Sequence, residues 1–407
     1  MCSCFVESYV IQHSVFGGRM VKVGVIGVGC SKFGVRRDAT LQEVAFEAVR
    51  EAMRDAGVTR EDVELSVVGT AGTRSYELMP AVPVNEYCGF AGKGALRVEA
   101  ACASGSAAVY AAYSSIKAGV VDVAIAIGCE KMTEVDTATS LAVGGRAGSY
   151  LWEFHQYGTT FPGHYAMHAT AHMAAYGTTE RQMAMVAVKN HRNAARNPKA
   201  HFQREVTVEE VLSSRYVAYP LRLFDCSPIS DGAAAAVLAS ERRVRELGAE
   251  SPVWISGVGY SGDTANLSRR KYYGGLKASV EAARMAYRMA GIEDPLRQLD
   301  VASVHDCFTI AEIMAYEDLG FCRKGEGGRF VEEGESDLGG SLPVNTFGGL
   351  KAKGHPLGAT GVAMVYEVVK QLRGEAGSLQ VDLKSYRGLT HNIGGTGHFG
   401  WVFILEV

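Results

Sequence analysis

Two stretches of this chain carry a nucleophile type and a base type in matching surroundings. Cys102 stands in "VEAACASGSAAVYAAY", Val98 to Tyr113. Leu96 to Ala101 reads as the end of a buried strand or a tight strand exit. Ser106 to Lys117 reads as a helix, with Val109, Ala112, Tyr113 and Ile116 at helical spacing. Cys102 is then expected at the helix's first turn, where unpaired N–H groups and the positive end of the dipole favour a thiolate. A free cysteine at such a place also serves as a small core residue, and the stretch alone leaves both readings open. His355 opens "HPLGATGV", 355 to 362, which follows the same pattern as "CASGSAAV", 102 to 109: Gly105, Ala108 and Val109 stand against Gly358, Gly361 and Val362. A third set, His164, His168 and His172, repeats every fourth residue and so shares one helical face. No acidic fourth ligand accompanies it, so the face reads as packing surface and no metal is expected.

The elements that must position these residues come as a repeat. Residues 48–58, "AVREAMRDAGV", match residues 282–292, "AARMAYRMAGI", with Ala, Arg and Gly in register. Each reads as a helix stopping at a glycine, Gly57 or Gly291, where a left-handed cap is expected. A β-rich run precedes each ("VKVGVIGVG", "VWISGVGYSG"), and a second apolar run follows ("VELSVVGT", "LDVASVHD"). Each half therefore opens strand, helix, strand. If the halves pair about a pseudo-twofold axis, the helix N-termini carrying Cys102 and His355 meet near it. "VVDVAIAIGCEKM" and "ISDGAAAAVLAS" read as buried strands of the first half, flanking an insert at about 135–220. An excursion of that size signals function rather than a plain connection. The expected organisation is an N-terminal extension at 1–19, disordered or not native; a first half at 20–250 with the lobe; and a second half at 251–407.

Bulk properties exclude several classes. The chain has 407 residues, 47% hydrophobic and 21% charged, ordinary for a globular enzyme of two large halves. A net charge of −3 leaves no basic footprint for nucleic acid or anionic membrane. No apolar run is long enough to span a bilayer. Nine scattered cysteines without a CxxC pair fit a reducing cytoplasm, not a disulfide scaffold. The first 19 residues have no basic n-region and no small-residue cleavage site. No G-x-x-x-x-G-K-[ST] occurs, and "GVIGVG" is too incomplete a glycine pattern for a nucleotide loop.

Taken in order, "ACASGS", "CSPISDGAAAAVLAS" (226–240), "HDCF" (305–308), "GHP" (354–356) and "HNIGGTG" (391–397) resemble the thiolases, in particular the archaeal acetoacetyl-CoA and sterol-carrier-protein (lipid-transfer-protein)-like type, from about Val21 to Val407. The resemblance implies the thiolase fold: an α/β chain of two duplicated βαβ-rich halves layered α/β/α/β/α with an inserted loop lobe. It implies coenzyme A thioesters as substrates, no further cofactor, and acetyl transfer between acetyl-CoA and acetoacetyl-CoA or a related short 3-oxoacyl-CoA. Cys102 would be the acylated nucleophile and His355 its base. Many thiolases carry Asn-Glu-Ala-Phe where this chain has "HDCF", and a second cysteine where it has Asn392. The resembling subfamily moves that acid/base role to Cys307, with His305 binding a thioester oxygen. Asp306 faces the other way if the run ends a strand, since residues two apart share a face. The resemblance further implies one oxyanion hole from His305 and His355, a second from the N–H groups of Cys102 and Gly394, pantetheine contact at Ser227, and an acyl-pocket wall at Met167.

Rival expectations are a ketosynthase-like condensing enzyme, which needs Cys102, His305 and His355 but not Cys307; an aldolase or thiolase for larger acyl-CoAs; and a non-catalytic acyl-CoA-binding scaffold. A homodimer or homotetramer is expected. Similar archaeal proteins work beside a small zinc-ribbon/OB-fold protein, and some beside a hydroxymethylglutaryl-CoA synthase, which makes both candidate partners.

Overall fold

A computed structural model describes residues 21–407; the reading of 1–19 as an extension lies outside the described residues. The strands are β1 (Val23–Cys30), β2 (Leu65–Gly69), β3 (Gly94–Val98), β4 (Val123–Glu130), β5 (Tyr216–Ala218), β6 (Leu221–Arg222), β7 (Gly232–Ser240), β8 (Val253–Gly262), β9 (Val301–Val304), β10 (Arg387–Gly394) and β11 (Phe399–Glu406). All but the β5–β6 pair form one mixed sheet in the order β3-β2-β4-β7-β1-β8-β11-β10-β9.

That order is a palindrome of the repeat. The halves join through two residue pairs, Gly24 with Trp254 and Val25 with Val253. Outward from this seam, β1 answers β8, β7 answers β11, β4 answers β10, and β2 answers β9. Where the first half ends in β3, the second ends in a single parallel bridge between Ala302 and Val344.

Period-two alternation builds the layers. In β4, Val123, Ile125, Ile127 and Cys129 face the Leu41–Ala56 helix, while Ala124 and Ala126 face the interior between the halves. β7 divides its residues the same way, so both faces are buried and the strand reads as one apolar run. The Lys277–Ala290 helix covers β8 and β11 as the Leu41–Ala56 helix covers β1 and β7. Both end at the expected glycines in the left-handed conformation, Gly57 at φ 64° and Gly291 at φ 67°.

The central layer is a pair of helices, Ser104–Lys117 and Leu357–Leu372, packed against each other between the halves. Their N-terminal turns touch backbone to backbone. A Cβ on Gly105 would lie 2.5 Å from the Gly358 carbonyl oxygen, and one on Gly361 would strike the Ser106 amide. The matching glycines are thus the means by which the Cys102 and His355 segments come together.

The lobe leaves after β4 and returns before β7, and it is mainly helical, with its longest helices at Phe161–Tyr176 and Glu180–Ala194. It departs from the first half but packs on the second: Glu180–Ala194 lies against 349–353 and the Thr309–Asp318 helix. The expectation of a buried strand before Cys102 is corrected. β3 is the outer edge of the sheet, and Gly94–Arg97 are exposed.

Candidate active site

Cys102 lies two residues before the Ser104–Lys117 helix, outside the first turn where it was expected. The chain reaches it through Ala101, held left-handed at φ 50°, a conformation that costs a non-glycine residue about 1–2 kcal/mol. Ser104 fixes this turn: its hydroxyl donates to the Ala101 carbonyl at 2.7 Å and accepts from the Ala100 amide at 2.9 Å. The strained turn aims the thiol into a cleft of about 310 Å³ lined also by Cys307, Ser227, His355, Phe161, Arg74 and Gly395.

Burial pushes the Cys102 thiol up to about 11, against the pull of the Arg74 guanidinium and of the Gly395 and Cys102 backbone amides. Burial also takes His355 down to about 3, helped by Lys353 and Arg74. The resting pair is therefore a neutral thiol beside a neutral imidazole, not the preformed thiolate that the helix dipole alone would favour. One donor atom each from Cys102, His305 and His355 lies within 4.8 Å of the others. The donor types could also hold a soft metal ion; the same spacing lets a proton pass from sulfur to imidazole.

The neighbours of the two histidines set opposite tautomers. Thr360 gives its hydroxyl hydrogen to the Pro356 carbonyl at 2.9 Å, so the oxygen, 2.7 Å from His355 Nδ1, accepts from that nitrogen. His355 Nε2 is left as a bare lone pair, with no partner among the described residues. Asn392 donates its amide to the Cys102 carbonyl at 3.2 Å, an obligate acceptor that fixes the amide's orientation. The same nitrogen lies 3.0 Å from His305 Nδ1, which must accept. His305 Nε2 therefore carries the proton and is likewise unpartnered. The rings meet edge to face with centroids 5.1 Å apart. One imidazole is set to take a proton, the other to donate a hydrogen bond.

Cys307 is buried, and burial with the nearby Cys102 pushes its thiol well above the ordinary value, against the pull of the neighbouring Tyr165 hydroxyl. Tyr165 stacks on Phe308 at 4.7 Å and donates to the Gly395 carbonyl at 3.3 Å. Asp306 faces away, although β9 ends at Val304 and strand alternation does not reach it. It accepts from the amides of Leu350 (2.6 Å) and Lys351 (3.1 Å) and from Asn190 (2.8 Å). Ser227 lines the cleft, and its amide donates to the Cys307 carbonyl at 2.9 Å.

One placement differs from expectation. Met167 is 41% exposed and does not line the cleft; Phe161 and Pro162, at the start of the same helix, do. The backbone amide that acts on the Cys102 sulfur with its own is that of Gly395, one residue beyond Gly394. Gly394 ends β10, paired with Phe399, and the chain turns at Gly395 with φ 65°. His164, His168 and His172 are buried on one face as expected but do not converge. His168 Nδ1 lies 2.6 Å from the Tyr273 carbonyl, and His172 bridges Thr178 (2.7 Å) and Glu317 (3.0 Å).

Sequence reasoning missed Arg74, Thr360 and Tyr165. It also missed Glu130, whose buried carboxylate accepts from the amides of Ala71, Gly72 and Gly358 at 2.8–3.0 Å and so ties the Leu357–Leu372 helix start to the first half. Thr360 alone had a local signal, one turn beyond His355 in "HPLGAT".

A duplicated α/β fold that closes a buried thiol between two imidazoles of opposite tautomer defines an enzyme class that transfers acyl groups through a cysteine. Residues 20–242 match the family "Thiolase, N-terminal domain" and residues 259–407 match "Thiolase C-terminal domain-like". The chain belongs to the thiolase family. It is 46% identical to an acetyl-CoA acetyltransferase of Methanothermobacter thermautotrophicus, over 95% of this chain and 100% of that one. It is 36% identical to the benzoylsuccinyl-CoA thiolase subunit BbsB of Thauera aromatica, over 92% of this chain and 95% of that one. Among solved structures, an Ltp2-ChsH2(DUF35) aldolase superposes with a TM-score of 0.81 at 28% identity, over 95% of this chain and 98% of that one. No helix among the described residues is long and apolar enough to cross a membrane.

Proposed function

We propose that this thiolase interconverts two acetyl-CoA with acetoacetyl-CoA and free CoA, or acts likewise on a related short 3-oxoacyl-CoA, by a ping-pong route through acyl-Cys102. The observation that carries this reading is the pairing of His355, with its free Nε2 lone pair, and His305, with its Nε2–H, beside a cleft holding both Cys102 and Cys307.

Cys102 Sγ attacks the thioester carbon while its proton moves to His355 Nε2. The tetrahedral oxyanion is held by the amides of Cys102 and Gly395. The C–S bond to CoA breaks, and the leaving thiolate takes the Cys307 proton. The Cys307 thiolate then removes an α-proton from a second acetyl-CoA, whose enolate oxygen accepts from His305 Nε2–H. The carbanion attacks the acyl carbon, and Cys102 leaves as a thiolate that recovers its proton from His355. Cys307 is never a thiolate in the resting enzyme, which agrees with its raised pKa. Ser227 has no side-chain partner among the described residues and is free for a pantetheine amide; Arg215 also lines the cleft. A ketosynthase route would leave Cys307 unused.

The exposed edge strand β3 supports assembly with a second copy. Leu96 is 46% exposed, and Tyr76, Leu78 and Met79 are exposed as well. The relative named a subunit and the aldolase named with a DUF35 component support a further small helper chain. Intact-mass analysis after acetoacetyl-CoA treatment should show one added acetyl group, absent in Cys102→Ala. An equal adduct on the variant refutes the assignment.

A further inference from the structure

Arg74 stands inside the acyl cleft without a counter-ion. It is 5% exposed and lines the same cleft as Cys102, among the apolar side chains of Met132, Leu141 and Phe161. Its partners are neutral: Nε donates to the Ser140 hydroxyl (2.8 Å) and carbonyl (3.3 Å), Nη2 to the same carbonyl (3.1 Å), and Nη1 to Thr73 Oγ1 (3.3 Å). No carboxylate lies within 4 Å of it among the described residues. Glu130, the acid whose field reaches it, is occupied by three backbone amides. A guanidinium has five N–H donors. Three are used here, which leaves one on each terminal nitrogen, the pair that a carboxylate bridges with its two oxygens. Gly144 makes room for this fork: a Cβ there would lie 2.8 Å from Nη2. Burying a guanidinium in an apolar cleft is costly unless an anion completes it.

The geometry points to a carboxylate subsite: Arg74 receives the free carboxylate of an acyl chain whose thioester carbon is attacked by Cys102. The substrate class is then acyl-CoA with an acidic acyl end, handled alongside short neutral chains. This inference rests on the acyl-Cys102 reading. In the step tested, a glutaryl group moves from the CoA sulfur to the Cys102 sulfur, and CoA thiol is released.

The test compares pairs of equal carbon number, glutaryl-CoA with valeryl-CoA and succinyl-CoA with butyryl-CoA, by quench-flow and intact mass of Cys102. Acetyl-CoA serves as reference. The acidic member should acylate on the order of 10- to 100-fold faster at subsaturating concentration, the range of a charged hydrogen-bond pair. The ratio should collapse in Arg74→Met, over and above any loss common to every acyl-CoA that removing its charge from beside Cys102 causes, and recover in part in Arg74→Lys. Gly144→Ala, whose Cβ would meet Nη2 at 2.8 Å and displace the fork without removing its charge, should lower it too. A ratio of one or less in the wild type overturns the inference. So does a ratio unchanged by Arg74→Met, or an equal loss with every acyl-CoA, which would make Arg74 a group serving only the sulfur. If acetyl-CoA itself fails to acylate Cys102, the acyl-cysteine reading has failed instead.

Discussion

Thr360→Val tests the tautomer argument with the least disturbance. Valine keeps the shape but removes the hydroxyl that accepts from His355 Nδ1 at 2.7 Å. Nδ1–H would then be a buried donor without a partner, which costs about 1–3 kcal/mol. Moving the proton to Nε2 relieves Nδ1, because a proton on that side of the ring faces the Cys102–His305–His355 cluster, whose donor atoms lie within 4.8 Å of one another. At about 1.4 kcal/mol per factor of ten, the base-competent tautomer should fall roughly 10- to 100-fold, and acylation of Cys102 with it. The ceiling is complete loss of the general base, about 10²- to 10⁴-fold. Single-turnover acylation by acetyl-CoA, read as intact mass, gives the rate. Thr360→Ser should restore it, since the acceptor oxygen returns. The ¹⁵N shifts of His355 should show Nδ1–H in the wild type and Nε2–H in the valine variant. Wild-type acylation in Thr360→Val, or equal loss in the serine variant, would refute the reasoning.

Further outcomes follow from the same geometry. In the wild type, iodoacetamide labelling of Cys102 should keep climbing well above pH 8, because burial places the thiol near 11; in His355→Ala, labelling at neutral pH should fall tenfold or more, and an unchanged profile removes His355 from activation. Cys307→Ala should still accept an acetyl group on Cys102 but lose condensation and α-proton exchange into deuterated solvent together, by about 10²–10⁴-fold. Tyr165→Phe removes the hydroxyl that pulls Cys307 down, so its exchange profile should shift to higher pH while acylation is spared; a profile that does not move makes the hydroxyl merely structural. His355 and His391 are held near 3, and His164, His168 and His191 near 4, by burial. Their folded pKa values lie below the unfolded value of about 6.5, so their contribution to stability is full above that pH and is lost as pH falls toward 4, by about 1.4 kcal/mol per unit per histidine. The melting temperature should therefore drop between pH 7 and pH 5, before most carboxylates titrate, and a flat profile would mean that these rings are protonated in the native state.

What the sequence carried was whatever each half had to solve twice. Gly57 and Gly291 stop equivalent helices, and Gly105 against Gly358 lets two helix starts touch, so both the pseudo-symmetry and the meeting of Cys102 with His355 were legible. Position across the chain was not. Arg74 sits in a loop with no pattern around it and enters the site only because Ser140, 66 residues on, holds it. Tyr165 acts on Cys307 from the lobe, which packs on the half it does not leave from. Met167 falls outside the cleft because its helix carries apolar residues round most of its surface, so the sequence alone does not say which of them the cleft takes. The histidines make the sharpest case. His305 and His355 are the same residue type, both buried, with rings in contact, and nothing intrinsic to either distinguishes the ring with a free Nε2 lone pair from the ring with an Nε2–H. One neighbour each makes the difference: a hydroxyl already spent on a carbonyl can only accept, and an amide held by another carbonyl can only donate. The roles are thus written into Thr360 and Asn392, and they become readable only when the carbonyls of Pro356 and Cys102 are in place.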